Sequence, residues 1–61
     1  MTKWMRKMAW EYGTLSREGT IKLFQQLVDS GEVWTMTAEY RAQAEQLIAA
    51  GLVKKPEVIH G

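Results

Sequence analysis

Cysteine is absent from the chain, which removes disulfides, thiolate nucleophiles and zinc–thiolate sites from consideration. That usage suits a reducing cytoplasm, although exported proteins also do without cysteine. Histidine occurs once, as His60 beside the last residue. A Ser-His-Asp arrangement there would lack a rigid base, and a metal site would lack its other ligands. Gly13, Gly19, Gly31, Gly51 and Gly61 are too widely spread to form a phosphate-binding loop. Glu39 and Glu45 are expected to face water rather than to act as a hydrolytic pair. No apolar run approaches the roughly 18 residues that span a bilayer. The charged N-terminus is not followed by a continuous apolar segment, so no signal peptide is expected. With a net charge of +1, the composition does not point to a polyanionic partner. These absences lead to the expectation of a non-enzymatic protein with no cofactor and no metal, acting in the cytoplasm.

What the chain does have is 61 residues with three tryptophans. The length allows one domain, close to the lower limit for folding alone. Burial on folding contributes on the order of 90 kcal/mol, and ordering the chain costs on the order of 90 kcal/mol as well. The near cancellation means that good packing, or a partner such as a second copy, has to supply the margin. Large aromatics in so short a chain serve either a small core or an interface.

Glycines divide three helical stretches. The first covers about residues 2–12, with Thr2 as N-cap and Gly13 as stop. At about 100° per residue, Met1, Trp4, Met5, Met8, Ala9 and Tyr12 share one face, and Lys3, Arg6, Lys7 and Trp10 share the other. The second covers about residues 16–30, capped by Ser16, with Glu18 at its positive end and Gly31 after its last turn. Ile21, Leu23, Phe24, Leu27 and Val28 form its apolar arc; Lys22, Gln25, Gln26 and Asp29 form its wet side. Gly19 weakens the first turn by about 1 kcal/mol relative to alanine. The third covers about residues 37–50, from Thr37 to the stop at Gly51, with Tyr40, Ala44, Leu47 and Ile48 on one side. Its alanines favour helix and permit close approach of a neighbour.

Residues 32–36, Glu-Val-Trp-Thr-Met, admit a short strand or a turn that plugs Val33 and Trp34 between helices. The plug is favoured, because a strand needs a partner and Pro56 interrupts the tail segment that could provide one. The tail, residues 54–61, is expected to be flexible. One internal echo is present: residues 26–33 and 46–53 both end a helix at glycine and place a valine two positions later. The simplest reading is a shared C-capping device, since two copies are too few for a solenoid.

The face formed by Lys3, Arg6, Lys7 and Trp10 is the sharpest candidate for function. It can be a solvated basic surface with Trp10 packed on another element. It can be a protein interface, where tryptophan and arginine concentrate binding energy. It can also meet nucleic acid or an anionic membrane, although three basic residues are few and Glu11 lies beside them. A helix-turn-helix reading of the second and third helices is weak. The outer side of the third offers Glu39, Arg41, Gln43, Glu45 and Gln46, where carboxylates would repel phosphates.

Several strings carry a family resemblance. They are residues 17–21 (Arg-Glu-Gly-Thr-Ile), residues 24–31 (Phe-Gln-Gln-Leu-Val-Asp-Ser-Gly), Trp34, Tyr40, and residues 47–51 (Leu-Ile-Ala-Ala-Gly). Together they resemble a family of short tailed-bacteriophage proteins of unknown function. Arg41 stands where that family often has glycine, and Met36 and Ala38 replace a leucine and a glycine. The resemblance implies a phage gene product acting in a bacterial cytoplasm and brings no catalytic residues.

The expected architecture is a mainly α, three-helix domain packed around Phe24, Leu27, Val28, Trp34, Tyr40, Leu47 and Ile48. The expected function is that of an accessory protein that binds another protein, such as a host protein, through Trp4, Arg6, Lys7 and Trp10. A small helix-turn-helix-like nucleic-acid-binding regulator is the alternative, and self-association is open.

Overall fold

The computed structural model describes residues 2–56. It contains three α-helices, α1 (Lys3–Glu11), α2 (Arg17–Ser30) and α3 (Ala38–Ala49), with a single 3₁₀ turn, η1 (Glu32–Thr35), between the last two. Each helix starts one residue inside the expected stretch because the capping residue is extended rather than helical. The Thr2 hydroxyl accepts from the Met5 amide and the Ser16 hydroxyl from the Gly19 amide, each satisfying an orphan donor of the first turn. Thr37 holds the same backbone conformation ahead of α3, but its hydroxyl makes no capping bond.

The glycine stops behave as the sequence implies, with one distinction. At Gly51 the chain turns left-handed, the Leu52 amide donates to the Leu47 carbonyl and the Gly51 amide to that of Ile48. This is the Schellman pair of bonds, and a side chain at that backbone angle would be strained. The end of α1 has the same pair, Thr14 to Ala9 and Gly13 to Trp10. Gly31 is also left-handed but leads straight into η1, with the Trp34 amide bonded back to its carbonyl. The echo therefore has structural content: Val33 and Val53, each two positions after a glycine stop, are both fully buried.

Helix α2 is the central element. It packs against α1, η1 and α3, and η1 also touches α3. Leu23, Phe24, Leu27 and Val28 on α2 meet Val33, Tyr40, Ala44, Leu47 and Val53 to form one core. Two members of the expected core stand elsewhere. Ile48 is only partly buried against it, and Trp34 is 38% exposed. Residues 32–36 form no strand. The 3₁₀ turn aims Val33 inward and leaves Trp34, one position on, at the surface, so the plug is valine alone.

Gln25, read as part of the wet side of α2, has a structural task. Its side-chain amide donates to the Lys54 carbonyl at 2.9 Å and accepts from the Lys54 amide at 3.0 Å. One glutamine thus pairs with the backbone as a neighbouring strand would, and it keeps Val53 seated. The start of the expected flexible tail is held in this way. Residues 57–61, including His60, lie outside the described residues, as does Met1.

Candidate interaction surface on the first helix

The docking of α1 sets which side chains are available to a partner. Trp10 turns inward. Its ring meets Phe24 edge-on at 5.1 Å between centroids and Tyr40 at 4.6 Å, and Phe24 and Tyr40 are themselves 5.9 Å apart. Such tilted and edge-to-face pairs add about 0.5–1.5 kcal/mol each beyond simple burial. At the C-terminal end of α1, the Tyr40 hydroxyl donates to the Glu11 carboxylate at 2.9 Å and lies 3.4 Å from the Lys7 carbonyl. Burial first, and the Glu11 carboxylate second, push the Tyr40 hydroxyl well above its ordinary 10.0. Tyr40 therefore remains a donor at any physiological pH.

At the N-terminal end, the Lys3 ammonium bonds to the Glu32 carboxylate on η1, and the Ser30 hydroxyl donates to the same oxygen at 3.1 Å. The Lys3 bond, followed by the Ser30 bond, holds Glu32 below its ordinary 4.5. A depressed carboxylate contributes stability that is complete above its unfolded pKa and is lost as pH falls through the folded value. Glu32→Gln should therefore melt below the wild type at pH ~7, with the gap narrowing as pH falls below the ordinary carboxylate range. A thermal-melt series across that range checks this, and a gap that stays constant with pH would remove the ion pair from the account.

Of the readings open for α1, the structure has the one in which Trp10 packs on another element. Lys3, Lys7 and Trp10 are each half-buried, and the Lys3 ammonium reaches Glu32. Arg6 is half-buried beside them. Much of the apolar stripe points outward: Trp4 is 66% exposed, Met5 52% and Tyr12 76%, with Met8 half-buried between them. Of the four sequence-nominated contact residues, only Trp4 lies on the open face. Trp10 is committed to the core contact, and the structure does not gather the four into one patch.

Met5 and Tyr12 are the exposed residues that the sequence reading did not nominate as contacts. One signal pointed the other way. Methionine beside aromatics is a composition suited to adaptable binding surfaces as well as to cores.

Three large side chains this exposed leave roughly 400 Å² of apolar surface on one short helix. On so small a protein this makes the outer side of α1 the candidate interaction surface. Elsewhere, the outer side of α3 presents Glu39, Arg41, Ala42, Glu45 and Gln46 to solvent, with Gln43 half-buried. Among the described residues there is no pocket and no group of three or more His, Cys, Asp or Glu side chains placed to hold a metal. No helix among them is long and apolar enough to cross a membrane.

The chain belongs to the family described as Domain of unknown function (DUF7417), whose model matches residues 5–60. The match takes in Met5, Met8, Trp10 and Tyr12 and starts one residue after Trp4. No curated protein and no solved structure matches the chain.

Proposed function

We propose that this protein is a non-enzymatic phage accessory protein that acts in the bacterial cytoplasm by binding protein, with the outer face of α1 as its contact surface. The observation that carries the reading is the exposure of Trp4, Met5 and Tyr12 on a helix whose opposite side is already docked. Aromatic anchors on a rigid element are the usual centre of a protein interface, because their burial is large and little side-chain freedom is lost. The phage context rests on the resemblance of residues 24–31 and Trp34. A nucleic-acid partner finds less support. The basic side chains of α1 are partly engaged with Glu32 and the body, and α3 offers carboxylates outward.

Site-specific photo-crosslinking in bacterial cells tests the reading. A benzophenone side chain at position 4 or 12 should yield a discrete protein adduct, and one at position 45 on α3 should yield none. Adducts to nucleic acid, or protein adducts from position 45 alone, would overturn the assignment.

A further inference from the structure

Among the described residues, every buried side chain of the core lies between Leu23 and Val53. Helix α1 contributes none of them and has no buried residue of its own. Of the other elements, its backbone comes close to α2 alone. In that contact the half-buried Trp10 stands edge-on to Phe24. Beyond it, Trp10 and the Glu11 carboxylate meet Tyr40, and Lys3 bonds to Glu32. Both side chains of the Lys3–Glu32 pair are well exposed, and exposed pairs add little to docking. The body formed by α2, η1 and α3 is thus closed around its own core, with α1 laid against it. We propose that α1 is a separately opening arm, which undocks as one unit while that body stays folded.

The boundary of the arm is visible in the backbone. Gly13 turns left-handed, and the Thr14 amide and hydroxyl both bond back to the Ala9 carbonyl. Residues up to Thr14 therefore belong with α1. Leu15 belongs with the body. It packs against the core, and a Cβ at Gly19 would stand 2.7 Å from its Cδ1. The bare glycine is what lets Leu15 lie on the first turn of α2. The hinge falls between Thr14 and Leu15.

Opening has a consequence for the outer face. A helix of nine residues is marginal in water by itself, so an undocked α1 loses its helix. Trp4, Met5 and Tyr12 then cease to share a face. Docking by Trp10 therefore gates that surface, and whatever binds it in the helical form holds the arm closed. Opening also bares the rings of Phe24 and Tyr40, which keeps the open form scarce. The arm is a property of the fold and stands whether or not the outer face binds protein.

Native-state hydrogen exchange on the full chain, read amide by amide in low urea, tests the proposal. Amides of Arg6 to Tyr12 should exchange at least ~10-fold faster than the slowest of α2 and α3, with one shared and shallower urea dependence, as a locally opening unit does. Val53→Ala supplies the second reading, because Val53 is buried in the body. It should speed the slowest amides of α2 and α3 by about 10-fold or more and leave those of α1 at wild-type rates. If that variant does not fold, Gln25→Ala, which releases Lys54, is read in the same way.

An equal acceleration of α1 amides in either variant would mean that α1 opens only with the whole domain, and would overturn the arm. Rates in α1 that rise steadily toward Thr2, without a shared value, would show fraying and overturn it as well. Failure of crosslinking at positions 4 and 12 would remove the binding reading and leave these exchange results untouched.

Discussion

Phe24→Ala should leave the domain largely unfolded at room temperature. Phe24 has no exposed surface and stands where α1, α2 and α3 converge, against Trp10 on one side and Tyr40 on the other. Truncating a buried phenylalanine costs about 3–5 kcal/mol, the lost transfer energy plus a cavity that the neighbours fill only in part. A chain this short has roughly 3–9 kcal/mol of total stability. The loss therefore removes most or all of the margin. It also releases the ring against which Trp10 anchors α1. Far-UV circular dichroism with urea titration reads the outcome, expected as a midpoint near zero denaturant. Phe24→Leu, which keeps most of the volume, should fold with a cost below about 1.5 kcal/mol. A Phe24→Ala protein destabilised by less than about 1 kcal/mol would mean that the three-ring contact does not organise the core.

The second large effect separates two tryptophans that the helical wheel cannot rank. Trp10→Ala should cost about 3 kcal/mol, from lost burial and from two aromatic contacts at once. It should also loosen α1, which would then depend on the Lys3–Glu32 and Glu11–Tyr40 bonds at its ends. Trp4→Ala, at a position 66% exposed, should change stability by no more than about 0.5 kcal/mol. Its effect should appear in binding instead. Chemical denaturation of both variants makes the comparison direct. Equal costs, or a larger one at Trp4, would mean that α1 docks by its other face.

Much of the architecture is legible locally. Helix positions follow from Thr2 and Ser16 as caps and from glycines at 13, 31 and 51, because capping is settled within a few residues of chain. The apolar arc of α2 is equally local, a 3.6-residue period on a helix that meets neighbours along its length. The burial of Val53, beside that expected of Val33, could have been drawn from the echo around the two glycine stops, since that device places an apolar contact just past the helix end.

The orientation of α1 is not of that kind. Both of its faces carry a tryptophan, and a wheel counts apolar residues without knowing what stands opposite them. The deciding partners, Glu32, Phe24 and Tyr40, are 14 to 33 positions away from the residues they engage in α1. Gln25 likewise looks like any solvated glutamine until the chain end returns beside it, 29 residues later. The 3₁₀ turn at residues 32–35 decides between Val33 and Trp34 by a rotation that composition does not specify.

By itself, then, the sequence determined a small three-helix domain, its boundaries, the heart of its core, and the presence of more aromatic surface than one core requires. Only the tertiary structure decided which aromatic residues were left over. Docking α1 through Trp10 closes a three-ring contact that no local pattern encodes, and that choice turns Trp4, Met5 and Tyr12 outward.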